Sequence, residues 1–411
     1  MPASAQYLSS DGIRTPSKGR DSALVRLKNI LVLHNRYRQE GGEDTVVRAE
    51  ASLLRAKGHR VTLHQVSNVN IEGPVSAALT GLTAPYSIAA RTRMTTLIRQ
   101  DRPDIVHVHN FFPQLTPSIF DAFRDAKIPV VQTLHNYRLI CGAATLSRDG
   151  VPCEECVGRF PLPLIRHRCY RNSRLVSCVP AAMIALHRLR GTWHSRVSRF
   201  IALTNFARSK FIAGGLPADR IAIKPNFADV PAGIRRHSQP TGGLFVGRLS
   251  VEKGVPILVD AWSGVQATLT IVGDGPLGDV VRTSGGQVTH VGWQDRMMTF
   301  EAMANAAFIV IPSVWYEGFP MVLAEAFGVG VPVIASRIGG LGELITDGVT
   351  GLLARPGDAQ DLRRKVIWAL DHPQSMAEMA ENARRMYDAE FTPDRNYEQL
   401  LAVYESAMGQ S

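Results

Sequence analysis

Two glutamates, Glu317 and Glu325, frame the stretch of this chain richest in groups that can do chemistry, Pro312-Ser-Val-Trp-Tyr-Glu317-Gly-Phe-Pro-Met-Val-Leu-Ala-Glu325. Pro320 suits the first residue of a helix, where its missing N–H is one the helix leaves unpaired anyway. Glu317 then belongs to the loop ahead of that helix, and Glu325 lies about one and a half turns inside it. Carboxylates so placed reach different parts of one ligand. The amides of Met321 and Val322 stay unpaired at the helix start and can bind a phosphate. The same spacing also fits a Glu317 that only favours the helix dipole and a Glu325 on the surface.

Cations precede this run. Phe245-Val-Gly-Arg-Leu-Ser-Val-Glu-Lys-Gly254 places Gly247 at a strand end, then Arg248, then Lys253 at the entrance of the next helix. Two fixed cations beside free amides suit a diphosphate, and a turn with solvent-facing charges would read alike. Gly273-Asp-Gly-Pro276 is a second turn after a strand, in which Gly273 and Gly275 let the backbone bend close to a ligand.

The elements that must position these residues follow from short β-branched runs alternating with amphipathic stretches, the pattern of βα units in parallel sheets. Strands are expected at 30–33, 61–66, 105–108, 130–134, 200–203 and 221–224, then at 244–246, 269–272, 288–291, 308–311 and 331–335. Helices are expected between them, at 45–56, 91–100, 256–262, 297–305 and 320–327 among others. This is an α/β chain of two doubly wound, Rossmann-like domains. Polar residues fall on the carboxyl ends of the strands, where open parallel sheets bind ligands: His34-Asn35, His109-Asn110, His135-Asn136 and Thr204-Asn205 in the first half, Gly247-Arg248, Gly273-Asp274, Ser313 to Glu317 and Ser336 to Gly340 in the second. Two such rims facing each other make an interdomain cleft. The expected division is a tail over 1–28, a first domain over 29–225, a Pro- and Gly-rich linker over 226–242 and a second domain over 243–390. A C-terminal helix over 391–411 is expected to pack back on the first domain.

Length and composition agree: 411 residues, 45% hydrophobic and 20% charged, describe a globular protein too long for one ordinary domain. No run approaches the ~18 uninterrupted apolar residues of a membrane-spanning helix. Residues 1–28 are basic and lack the apolar core of a secretory signal, so they are expected to be a disordered tail on a cytosolic protein. The formal charge of +10 is uneven. Residues 1–225 carry 32 Lys and Arg against 15 Asp and Glu, a formal +17, while residues 226–411 carry 14 against 21, a formal −7. The first half should therefore meet something anionic, whether nucleic acid, an acidic membrane leaflet or a phosphorylated substrate, unless its charge is only a solvated surface.

Taken in order, Gly41-Gly42, His135, Gly247-Arg248 with Lys253, Gly273-Asp-Gly-Pro276, Glu317 with Glu325, and Gly339-Gly340 with Glu343 resemble glycosyltransferase family 4, the retaining, nucleotide-sugar-dependent enzymes of the GT-B fold. The likeness runs from about Ile30 to the C-terminus, is strong through 243–357, and is most specific over Glu317–Asp347. The resemblance implies that Arg248 and Lys253 hold the donor diphosphate, that Glu325 binds the ribose hydroxyls, and that Glu317 contacts the donor sugar near its reacting face. It also implies that His135 lies close to the donor carbon and that Gly41-Gly42 form a loop closing over the phosphates. The family usually has a small residue after that glycine pair, where this chain has Glu43-Asp44. Acidic side chains would repel a diphosphate, so these two are expected to begin a helix instead, with their charges at its N-terminus. Breaking a glycosyl–phosphate bond creates an oxocarbenium-like centre and a diphosphate leaving group, which need a nearby carboxylate or carbonyl and cations respectively. There is no Asp-x-Asp pair, and Arg248 with Lys253 already supply charge, so no divalent metal is expected in the chemical step and no cofactor is required.

The five cysteines, Cys141, Cys153, Cys156, Cys169 and Cys178, share one segment. Cys153-x2-Cys156 has zinc-ligand spacing. A structural zinc could use Cys141 or Cys178 with Cys153, Cys156 and Cys169, with His167 a further candidate; unpaired thiols and disulfides are the alternatives, the last disfavoured in a cytosolic protein. Arg159, Arg166, Arg168, Arg171 and Arg174 precede apolar 179–186 and Trp193, a mixture that fits either a surface touching lipid headgroups or a helix packed on the first core.

The reading is a hexosyltransferase with its acceptor in the first domain and its nucleotide-sugar donor in the second. The acceptor expected is a glycan or a polyprenyl-diphosphate-linked sugar, in bacterial surface polysaccharide assembly, with the enzyme peripheral on the cytoplasmic face of an anionic membrane. A nucleotide-sugar epimerase of the same fold is the enzymatic alternative. A nucleic-acid-binding protein would use the basic half but has no need of Glu317 and Glu325, and no recognition-helix signature is present, so no nucleic-acid partner is expected.

Overall fold

A computed structural model describes residues 27–38 and 41–409. Two six-stranded, all-parallel sheets organise it, each flanked by helices. The first contains β1 (Asn29–Arg36), β2 (Arg60–Ser67), β3 (Ile105–Asn110), β4 (Val130–Leu134), β7 (Arg199–Ala202) and β8 (Ile221–Ile223), in the order β2-β1-β3-β4-β7-β8. Between β4 and β7 a two-stranded hairpin forms from β5 (Ser147–Arg148) and β6 (Val151–Pro152). The second sheet contains β9 (Gly243–Val246), β10 (Leu269–Val272), β11 (Val288–Gly292), β12 (Phe308–Ile311), β13 (Val333–Ser336) and β14 (Gly351–Ala354), in the order β11-β10-β9-β12-β13-β14.

Helices cover both faces of each sheet, so the central strands are buried along their whole length, as parallel strands require; every residue of β3, β4, β12, β13 and β14 is buried. Strand order reverses between β1 and β3 in the first sheet and between β9 and β12 in the second. Those are the switch points at which doubly wound folds hold ligands.

The structure differs from the sequence reading in several places. Of the tail expected over 1–28, residues 1–26 lie outside the described residues, while Leu27 and Lys28 belong to the first domain. Leu27 is buried and its carbonyl meets His59 Nδ1 at 2.9 Å; the Lys28 amide donates to Asp104 at 2.9 Å. The segment expected as a linker makes hydrogen bonds at several points to the second domain and the C-terminal helices. Ala228 is held by Phe391 and Tyr387, His237 by Ala304 and Thr241 by Asn305. Strand β14 was not expected, because Gly-Leu-Leu-Ala contains no β-branched residue. Pro320 caps the helix Met321–Val329 instead of beginning it.

The last helix, Pro393–Met408, runs along the first domain. Tyr404 Oη meets His107 Nδ1 at 2.8 Å, Tyr397 Oη meets His59 Nε2 at 2.9 Å, and Arg199 donates to Ser406 at 2.9 Å. Trp193 and the inner face of the helix Arg174–Leu189 pack into the first core, with Met183 and Ile184 buried. Within 179–186 the inner face, Pro180, Ala181, Met183 and Ile184, is therefore internal, while Phe160, Leu162 and Leu175 beside the arginines are exposed.

Candidate active site

The second-domain half of the site is the switch point between β9 and β12. Gly273 has φ +129, and a Cβ there would stand 2.1 Å from the carbonyl oxygen of Gly247; one at Gly275 would stand 2.5 Å from that of Leu249. These glycines thus allow two turns to pack backbone on backbone, and a side chain at either would displace the turn carrying Arg248. Arg248 itself is exposed, with neither ion pair nor hydrogen bond to a described residue.

Lys253 is not free in the same way. Its Nζ lies 2.7 Å from Glu317 Oε1, which also accepts Ser313 Oγ at 2.7 Å. Glu317 is buried. Burial works to raise its pKa, but the charge of Lys253 and the hydrogen bonds from Lys253 and Ser313 outweigh it, so the carboxyl stays below the usual glutamate range and ionised at neutral pH.

The first-domain half meets this loop directly. A Cβ on Gly318 would fall 2.4 Å from the carbonyl oxygen of His135, so only glycine lets the Glu317 loop reach the end of β4. Partly exposed His135 contacts His109, Nε2 to Nδ1 at 2.8 Å. Burial, reinforced by neighbouring positive groups, drives both imidazoles well below the usual histidine range and keeps them neutral. Behind them Glu50 Oε2 stands 3.5 Å from His109 Nε2, while Glu50 Oε1 holds Lys224 Nζ at 2.6 Å.

Gly41 and Gly42 are exposed at the start of the helix Gly42–Ala56, and a Cβ on Gly42 would touch Met321 Cγ at 3.4 Å. Gly42 therefore lies against the helix start at Met321 and Val322, whose amides have no intrahelical partner, while Gly41 borders open space. Glu43 and Asp44 turn inward. Asp44 meets His34 Nε2 at 2.8 Å and accepts the Gly41 amide at 2.9 Å. Glu43 accepts from Tyr37 Oη at 3.1 Å, and burial pushes it up to about 8, so near neutral pH it holds its proton. Both carboxyls are thus engaged within the first domain.

Glu325 opens onto a cavity of about 530 Å³ between Gly42–Ala56 and Met321–Val329, lined also by Arg48, Ser52, Phe227 and Arg296. Burial raises it to about 7, with Arg296 pulling the other way. A larger cavity of about 740 Å³, bordered by Asp347, Lys365 and Trp368, contains none of the site residues read from the sequence. Glu343 does not face the cleft as a ligand: its carboxylate accepts the amides of Asn205 and Phe206 at 2.8 and 2.7 Å, capping a first-domain helix and tying the domains together.

Sequence reasoning missed Glu154. It accepts Tyr316 Oη at 3.0 Å and pairs with Lys210 at 2.7 Å, so it pins the residue next to Glu317 from across the cleft. It also missed the role of His109, although the strand-end repetition of His34, His109 and His135 was a visible signal.

Two doubly wound domains with facing carboxyl-end rims, meeting at Gly318 and His135, define a GT-B protein. Residues 41–226 match a family model described as glycosyl transferase 4-like domain, and residues 241–372 match one described as glycosyl transferases group 1. The two matches cover both domains, and the chain belongs to the GT4-type glycosyltransferases. It is 33% identical over 168 residues to an uncharacterized glycosyltransferase of Methanocaldococcus jannaschii, covering 40% of this chain and 47% of that one. It is 28% identical over 314 residues to a glycogen synthase of Mycobacterium tuberculosis, covering 71% of this chain and 66% of that one. The aligned stretches thus span about half to two thirds of these relatives' lengths. Among solved structures, Anabaena HepE in complex with UDP has the same fold, with a TM-score of 0.64 at 19% identity over 92% of this chain and 100% of that one.

Proposed function

We propose that the chain is a retaining hexosyltransferase that moves a sugar from a nucleoside diphosphate-sugar to a glycan or lipid-linked acceptor, with no metal in the chemical step. The observation that carries this reading is the backbone contact of Gly318 with the His135 carbonyl, which brings together in the cleft the loop that carries an ionised Glu317 and the strand end that carries a neutral His135. The donor's diphosphate lies at the amides of Met321 and Val322, with Arg248 as a cation that pairs with none of the described residues and Gly41-Gly42 covering it. Its ribose lies in the cavity at Glu325. Glu317 stabilises the positive charge that builds on the sugar ring as the diphosphate leaves, and Lys253 is then shared between that carboxylate and the leaving group. A neutral His135 can hydrogen-bond the sugar without adding positive charge beside an oxocarbenium-like centre.

The acceptor enters from the basic first domain, and a lipid-linked acceptor at an anionic surface on the cytoplasmic side fits that charge. No helix among the described residues is long and apolar enough to cross a membrane. The helix Gly73–Thr83 has no buried residue and exposes Val75, Leu79 and Leu82, and it packs beside the arginine-flanked helix Arg174–Leu189. Apolar contact with a surface belongs to that helix and to exposed Phe160, Leu162 and Leu175, and not to the buried face of 179–186. Thermal-shift screening against UDP-, GDP- and ADP-sugars tests the donor assignment. A melting shift with one sugar nucleotide, lost in Arg248→Ala, supports it, and no shift with any of them removes it.

A further inference from the structure

The segment between β4 and the helix Arg174–Leu189 contains little regular structure, only the hairpin β5–β6 and the five-residue helix Leu162–Arg166. Six non-glycine residues in it, Ala144, Leu146, Asp149, Arg168, Arg171 and Asn172, have positive φ. Such backbone persists only where something over-determines it. Four cysteines of this segment, Cys141, Cys153, Cys156 and Cys169, line one small cavity, and none is in a disulfide.

The structure also narrows the ligand sets that the spacing left open. Cys178 is exposed on the helix outside that cavity, with its Sγ against the Arg174 carbonyl at 3.4 Å. His167 also lines the cavity, with its Nε2 3.2 Å from Glu155, but the four sulfurs suffice for a tetrahedral set without it. Cys141 is buried and completes a set of four sulfurs around the hairpin. We propose that Cys141, Cys153, Cys156 and Cys169 bind one zinc ion as an all-sulfur structural site that holds this segment against the second domain.

Tetrahedral zinc takes four thiolates at about 2.3 Å, each releasing its proton to solvent on binding. Among the described residues the only group of three or more such ligand atoms already within 4.8 Å of one another is Glu50, His107 and His109. That group already holds a cation, because Lys224 Nζ sits 2.6 Å from Glu50, and a metal beside it would be repelled. The sulfurs stand wider apart, so loading must draw in the loops that carry them. Arg148, paired with Glu155 at 2.7 Å, lies close enough to Cys153 and Cys169 to offset part of the thiolate charge.

The site has a reach beyond its own segment. Gly150, Val151 and Pro152 of the hairpin form a groove with Tyr316, Arg337 and Gly339 of the second domain. Glu154, between two of the ligands in sequence, is the residue that accepts Tyr316 Oη. The ion therefore braces the contact beside Glu317.

Elemental analysis of the full chain, produced in zinc-supplemented medium with no histidine tag remaining, tests this. One zinc per chain is expected, with an X-ray absorption edge showing sulfur neighbours only. An organomercurial titration should release that zinc to a chromogenic chelator as the liganding thiols react. Cys153→Ser and Cys169→Ser should lose the zinc, and Cys178→Ser should keep it. Should the serine variants fail to fold, the wild-type absorption spectrum and titration still decide. Protein without zinc, a shell of nitrogen or oxygen, a disulfide within the four, or zinc loss in Cys178→Ser would overturn the proposal.

Discussion

Replacing Glu317 with Gln keeps the side chain's size and an acceptor for Ser313 Oγ, but it removes the charge that holds Lys253 Nζ at 2.7 Å. The Glu317 side chain is 6% exposed and that of Lys253 is 28% exposed. Breaking a fully buried pair costs about 3–5 kcal/mol, because the surviving charge is left uncompensated. Lys253 can turn toward water, which reduces the expected loss to about 1–2 kcal/mol and the fall in Tm to roughly 2–8 °C. The pH dependence is fixed by the depressed pKa of Glu317. A carboxyl of this kind stabilises the fold above its unfolded value of about 4.5, and the stabilisation is lost as pH falls through the lower folded value. The gap between wild type and variant should therefore be full at neutral pH and close in acid. The released Lys253 can turn to the diphosphate, so donor binding should hold or tighten while turnover falls roughly 100-fold or more. Melting curves across pH, calorimetry with UDP or the intact donor, and single-turnover rates read these effects separately. A variant with normal turnover, or one whose donor affinity falls as far as its rate, would refute the role given to Glu317.

Arg248→Ala should weaken UDP or donor binding by about 1.5–3 kcal/mol, roughly 10- to 100-fold, with little effect on Tm, because Arg248 is exposed and without a partner among the described residues; calorimetry reads it. Glu325, raised to about 7, favours the fold most below its unfolded value near 4.5 and progressively less as pH climbs through 7. Glu325→Gln should accordingly melt higher than wild type at pH 8 but not at pH 4, and it should weaken nucleotide binding; wild-type affinity should rise with pH through 7 as the carboxylate forms to accept the ribose hydroxyls. Changing Arg166, Arg168, Arg171 and Arg174 together to Ser should reduce co-sedimentation with anionic vesicles, since each basic residue near such a surface contributes about 1 kcal/mol. Donor binding should be unaffected, and high salt should release the wild type.

The second half of the site was the more legible in the sequence. Glycines, a Pro-capped helix and two glutamates at fixed spacing make local backbone demands that a sequence pattern can display. Gly318 shows the limit: its reason is a carbonyl of the other domain, which no spacing reveals. The pairing of Lys253 with Glu317, 64 residues away, could not be seen from spacing either. The inward turn of Glu43 and Asp44 likewise depends on His34, Tyr37 and Asn136, which only the fold brings near. The apolar run 179–186 could equally pack inside or lie on a surface, and helix burial settles that only in three dimensions. Strand β14 was hidden because its residues carry no strand preference, and its place beside β13 comes from tertiary pairing.

The central claim is that a nucleotide-sugar reacts where Glu317 and Gly318 meet His135. Proton NMR of the reaction with the sugar nucleotide that raises the melting point, with EDTA present, tests it most directly. The account predicts release of the nucleoside diphosphate with an initial product anomer matching that of the donor, and loss of that signal in His135→Ala and Glu317→Gln while both variants still bind UDP. Turnover that requires added magnesium or manganese, a product of inverted anomeric configuration, an epimerised donor, or full activity in both variants would contradict it.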